Sequence, residues 1–154
     1  MSEFKYAPLF PLGEDTTPYR KLTSDHVRME TFNGEDMLVV DPEALTVISK
    51  AGFKEMAHLY RPEHLEKLRA IIDDPESSDN DRYVALELLK NAAISADKIY
   101  PMCQDTGTAV VIGKKGQQVW TGSNDEEPLS RGVFEAYTEN NLRYSQNAAL
   151  TMFK

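Results

Sequence analysis

Residues 26–43 read HVRMETFNGEDMLVVDPE, and this passage decides the fold class. Two runs, His26 to Phe32 and Asp36 to Val40, flank Asn33-Gly34. Asn-Gly between strand-forming runs is the strongest short hairpin signal, because both residues tolerate the positive φ of a type I′ turn. Asp41-Pro42-Glu43 follows at once and opens a helix. Aspartate suits the N-cap, proline the first turn, and an acid the positive end of the helix dipole. Within 18 residues the pattern passes from hairpin to helix, which points to an α+β fold.

Further along, Leu45, Ile48, Gly52, Met56 and Leu59 recur at helical spacing. Pro62 starts a second helix with Leu65, Leu68 and Ile72 on one face, and Asp73-Asp74-Pro75 stops it. Residues 76–81 read as a loop, and Arg82 to Asp97 as a third helix with Ala85, Leu88, Ala92 and Ala96 on its buried side. The texture then changes. Residues 99–104 are irregular, Thr108 to Ile112 is a short β-branched strand, and Gly113-Lys114-Lys115-Gly116 is a turn. Residues 117–120 return as the second strand of that hairpin. Gly122 to Asp125 cap a fourth helix over residues 126–140, with Leu129, Val133 and Ala136 inward. The expected architecture is an N-terminal helical layer with short β-hairpins leading into a mixed sheet.

In the other direction, Pro8, Pro11 and Pro18 interleave with Phe4, Tyr6, Phe10 and Tyr19. Proline at that density discourages helix, and the aromatics argue for a segment that packs on a surface, its own or a partner's. Residues 1–24 are therefore read as an extended arm, and 25–154 as one domain portion.

Composition narrows the function. The apolar fraction is 41% and the charged fraction 27%, as in soluble globular domains. No signal peptide is read, and no apolar run approaches the roughly 18 residues of a membrane span, so a cytoplasmic protein is expected. Net charge is −8 with the basic residues scattered, which argues against nucleic acid. An anionic substrate would need a local basic group against that field. His26, His58 and His64 show no metal-ligand pairing, and the glycines of 113–116 match no nucleotide-binding spacing. Cys103 is the one cysteine, so no intrachain disulfide is possible.

The stretch Pro101-Met102-Cys103-Gln104-Asp105-Thr106-Gly107-Thr108 concentrates chemistry at a helix-to-strand junction. A thiolate can ligate iron, an amide can donate and accept, a carboxylate can transfer protons, and glycine admits a ligand close to the backbone. By spacing alone, a buried cysteine beside an Asp-Thr-Gly turn is the plainer explanation.

Cys103 to Thr108, followed by Ala109-Val110-Val111-Ile112-Gly113-Lys114-Lys115-Gly116, resembles the signature around the first cluster cysteine of class I, iron–sulfur-dependent fumarases. Pro8 to Pro11, Leu22 to Val27, Asn80 to Leu89, Val119 to Gly122 and Asn141 to Asn147 resemble the same N-terminal region, block by block and in order. The resemblance implies part of a larger iron–sulfur hydro-lyase domain that reversibly hydrates fumarate to (S)-malate in the tricarboxylic acid cycle. It implies a 4Fe–4S cluster held by three cysteines, with one iron left open as a Lewis acid.

Residue by residue, Cys103 matches the first cluster ligand. Gln104 and Asp105 match positions lining the substrate site, Gln104 for hydrogen bonding and Asp105 for the proton of the leaving hydroxyl. Arg143 matches an arginine that grips a substrate carboxylate, and it is the local basic group the acidic surface requires. Thr106 and Thr108 would contact ligand or complete the turn, the turn being favoured for Thr108. Two further cluster cysteines have no counterpart in the chain. The resemblance thus implies a C-terminally truncated portion, inactive alone and completed by the rest of the enzyme or a partner subunit, with homodimers the family habit. The related L(+)-tartrate dehydratases share the Cys-Gln-Asp-Thr-Gly core and are the second reading. A non-catalytic interaction module retaining the fold is the third.

Overall fold

The computed structural model describes residues 4–8, 13–14, 18–102, 108–122 and 124–143. Among them the element order is β1 (Val27–Phe32), β2 (Glu35–Val40), α1 (Pro42–His58), α2 (Pro62–Asp73), α3 (Asp79–Ser95), β3 (Val119–Trp120) and α4 (Glu126–Glu139). The described residues form an α+β fold of four helices and a three-stranded mixed sheet in the order β1-β2-β3.

The first hairpin forms as the sequence predicts. Asn33 and Gly34 both take positive φ, 51° and 82°, and β1 pairs antiparallel with β2 from Phe32↔Glu35 to Val27↔Val40. Asp41 occupies the N-cap of α1, but its carboxylate makes no cap bond. It accepts instead from Arg28 Nη1 at 2.6 Å, while Arg28 Nε reaches Glu30 at 2.7 Å. These bonds raise the Arg28 pKa, Glu30 first and Asp41 second.

Two predicted boundaries and one pairing are corrected. The third helix begins at Asp79, not Arg82, because Ser78 and Asp81 close a capping box: Asp81 N–H donates to Ser78 Oγ at 3.2 Å and Ser78 N–H to Asp81 Oδ2 at 3.0 Å. It ends at Ser95. Its buried side is Ala85, Ala92 and Ser95, whereas Leu88 and Ala96 are exposed. The second predicted hairpin does not form. Residues 108–112 belong to no strand, and β3 pairs in parallel with β2 through Leu38↔Val119 and Val39↔Trp120. The turn lies further along than expected, with Val119 N–H donating to the Gly116 carbonyl at 3.2 Å. Leu38 N–H bonds Gln118 O at 2.8 Å, so the open edge of β2 takes up the returning chain.

The main interhelical contact is α1 against α4, and it is unusually close. A Cβ placed on Gly132 would lie 2.9 Å from the Lys50 amide nitrogen and closer still to Ser49 Oγ and the Thr46 carbonyl. Ala136, one turn on, is 0% exposed. With no bulk at the crossing, polar groups of α1 reach the α4 backbone. Thr46 Oγ1 donates to Pro128 O at 3.0 Å, and Ser49 Oγ to Leu129 O at 3.0 Å. Lys50 Nζ spans to Glu139 at 2.6 Å and Glu135 at 3.0 Å, and those bonds raise its pKa. Phe53 and Tyr137 close the contact with ring centroids 6.3 Å apart.

The apolar stripe of α1 therefore does not face α4. Ile48 and Met56 are each 57% exposed, while Thr46, Ser49, Ala57 and His58 are buried. In α4, Ala136 is inward as predicted, with Leu129 and Val133 half-buried beside it. The described part of the N-terminal arm carries no helix or strand and is tied to α1 by the Arg20–Glu55 ion pair.

Gly132→Ala forces a methyl group into the α1 backbone, and overpacking of this kind costs about 1–3 kcal/mol. Thermal unfolding should show Tm several degrees lower, whereas Gly52→Ala, at a position with open space, should leave it unchanged or raised.

Candidate active site

Cys103, Gln104, Asp105 and Thr106 lie outside the described residues; the flanks on either side of them are described. On the upstream side, α3 ends at Ser95, and Lys98 reverses the chain with φ 60°. Met102 is 4% exposed, and its N–H donates to the carbonyl of Ala57 at 2.8 Å. Ser95 Oγ donates to the His58 carbonyl at 3.0 Å, so the last turn of α1 holds both the end of α3 and the residue before Cys103. His58 itself is a helix-end histidine, as the sequence suggests, yet 1% exposed. Its Nδ1 is 2.6 Å from the Lys54 carbonyl, and no partner for Nε2 is seen among the described residues.

On the downstream side, Lys115 is the fastening point. Its Nζ donates to Thr121 Oγ1 at 2.9 Å and Asp125 Oδ2 at 2.8 Å, and Thr121 Oγ1 donates to Asp125 Oδ1. Thr121 is buried, and Asp125 is the residue before α4. The Lys115 hydrogen bond, with that of Thr121, holds the Asp125 carboxyl below its ordinary value. The described chain before Cys103 is thus fastened to α1, and that after it to the start of α4.

Arg143 stands at the far end of α4. Asn141 adopts φ 51°, and Leu142 N–H donates to Tyr137 O at 3.0 Å. This is the Schellman arrangement, with asparagine in the left-handed position usually filled by glycine. It ends the helix sharply, buries Leu142, and sends Arg143 off exposed. Thr108 is exposed on the downstream flank.

Of the predicted site residues, Arg143 is the one the described structure locates. Sequence reasoning missed the three devices around them: the Ala57–Met102 bond, the Lys115–Thr121–Asp125 lock, and the Asn141 cap. Asn141 after an apolar-periodic segment was a usable signal. Neither of the other two leaves a local trace.

A groove of about 620 Å³ runs beside the downstream flank, between α1 and residues 110–116. Leu45, Ile48, Phe53 and Met56 form one wall and Val110–Ile112 the other. Its lining is largely apolar, so it is a poor receptor for a dicarboxylate. No group of three or more His, Cys, Asp or Glu gathers among the described residues to hold a metal, and no described helix is long and apolar enough to cross a membrane.

The family model for fumarate hydratase (Fumerase) matches residues 46–153, from α1 through Arg143 and beyond. The chain belongs to the fumarate hydratase family. It is 54% identical over 151 residues to "Fumarate hydratase class I, anaerobic" of Escherichia coli (strain K12), covering 98% of this chain and 28% of that protein. It is 51% identical to "Fumarate hydratase class I, aerobic" of the same organism, with the same coverage. To "Fumarate hydratase 1, mitochondrial" of Leishmania major it is 49% identical over 156 residues, 99% of this chain and 28% of that relative. The chain thus spans a little over a quarter of the length of these fumarate hydratases. The matched stretch contains both fastenings and the α4 exit.

The Asp125 lock has a definite pH dependence. A carboxyl whose pKa is depressed by folding contributes stability above its unfolded value and loses it as pH falls through the folded one. The turn at 116–119, closed by the Val119 N–H bond to Gly116 O, should therefore stay protected from amide exchange down to the ordinary carboxylate value of 3.8 and loosen only below it. In Asp125→Asn the protection should be weaker and flat across that acid range.

Proposed function

We propose that this chain is the part of a class I fumarate hydratase that supplies the first cluster thiolate and one carboxylate-binding arginine for reversible hydration of fumarate to (S)-malate. The supporting observation is the Cys103-Gln104-Asp105-Thr106-Gly107 motif, bracketed by two fastened flanks, in a chain 49–54% identical to relatives named fumarate hydratase. Those names favour fumarate over tartrate, and they count against a non-catalytic module.

Cys103 is the single cysteine, so the chain offers one thiolate, which fits one corner of a cluster whose other two thiolates come from outside these residues. A bound cluster supplies Lewis acidity toward the substrate's oxygen atoms. The chain's own residues do the rest of its share. The guanidinium of Arg143 clamps a substrate carboxylate through two parallel N–H···O bonds, which fixes the orientation of the dianion. Gln104 donates a hydrogen bond that holds the substrate's carboxylate or hydroxyl. Asp105 takes or returns the proton of the departing hydroxyl. The remaining polypeptide contributes the other thiolates and the carbon base, and the assembled enzyme is a homodimer of the tricarboxylic acid cycle in the cytoplasm.

Arg143→Lys keeps the charge and removes the fork. Hydrogen bonds to charged groups are worth about 1.5–3 kcal/mol, so KM for malate should rise on the order of tenfold to a hundredfold in the intact enzyme with iron content unchanged. An unchanged KM would remove Arg143 from the substrate site. The 154-residue chain alone should hydrate no fumarate; turnover by the purified chain would overturn the division of thiolates given above.

A further inference from the structure

Val110, Val111 and Ile112 are three consecutive β-branched residues. In a strand, successive side chains point to opposite faces, so such a run needs apolar cover on both sides, as in the interior of a parallel sheet. Here Val110 is 65% and Ile112 90% exposed, and no described strand pairs with them. One side of the run looks across the 620 Å³ groove to Leu45, Ile48 and Met56, the stripe of α1 that α4 leaves uncovered. The chain is fastened upstream at Met102, to Ala57, and downstream at Lys115, to Asp125. The sheet beside it ends in β3, two residues long.

We infer that Val110–Ile112 and the Leu45–Ile48–Met56 face of α1 form a docking surface for a strand-forming, apolar segment of the fumarate hydratase polypeptide lying outside these residues. That segment adds alongside Val110–Ile112 and fills the groove. The inference rests on reading the chain as part of a longer fumarate hydratase. Three features choose the occupant. The relatives extend far beyond the 28% of their length that this chain spans. The uncovered run has the composition of an interior strand, which calls for backbone pairing as well as apolar contact. The groove is largely apolar and lined from both sides, which suits an apolar polypeptide segment more than a small polar ligand.

The test is hydrogen exchange on the intact enzyme, with fumarate hydration assayed on the same sample. Amides 110–112 should exchange at least a hundredfold more slowly than those of the exposed arm at 20–22, at every protein concentration. Ile112→Lys should abolish soluble enzyme, and Ile112→Val should retain it. Exchange at 110–112 as fast as in the arm would overturn the inference. So would protection that fades on dilution, the mark of a second copy, or protection that appears only with an added apolar ligand. Slow exchange in a sample that hydrates no fumarate would uphold the docking surface and defeat the catalytic reading alone.

Discussion

Everything near the Cys103 segment depends on how closely α1 and α4 cross at Gly132. The missing side chain lets the α4 backbone settle onto Thr46 and Ser49, whose hydroxyls bond Pro128 O and Leu129 O. That contact fixes three points at once. The last turn of α1 carries Ala57, which holds Met102; the first turn of α4 follows Asp125, which holds Lys115; the last turn of α4 launches Arg143. A shift of either helix would move the two flanks of the Cys103 segment relative to each other and to the arginine. In a protein interior packed to crystal density, such a contact transmits displacement instead of absorbing it.

Charge is arranged with the same economy. The chain is acidic overall, with a net charge of −8, and several of its cations are committed to neighbouring carboxylates. Lys50 lies between Glu135 and Glu139, Lys115 is spent on Asp125, and Arg28 on Glu30 and Asp41. Such exposed pairs contribute little to stability individually. Their value here is positional, since Lys50 ties α1 to α4 and Lys115 ties the downstream flank to the start of α4.

Much of the architecture was legible in the sequence because its signals are local. Asn33-Gly34 dictates a hairpin, and Asp41-Pro42 and Pro62 dictate helix starts, whatever lies elsewhere in the chain. The failures have separate causes. Residues 117–120 look like a partner for 108–112, but the choice between that pairing and the edge of β2 depends on where β2 lies in space. The start of α3 was displaced because Asp81 serves as the third residue of a capping box in place of the commoner Glu. The face of α1 that meets α4 left no periodic signal. Leu45, Ile48 and Met56 give a normal amphipathic stripe, while the true α4 contact uses Thr46, Ser49 and Gly132, whose value lies in being small. Of the candidate site, the residue types were legible and Arg143 was located as an exposed group. The fastenings at Ala57 and Asp125 are long-range and leave no periodic trace.

The role proposed for Cys103 is to bring a cluster thiolate to the enzyme. Iron content and the paramagnetic resonance signal of the chemically reduced cluster, both measured on intact enzyme carrying Cys103→Ser, test that role. The expected result is loss of the reduced-cluster signal and of fumarate hydration, with α-helix content and thermal unfolding of this region preserved. A variant that keeps its iron, its signal and its turnover would contradict it.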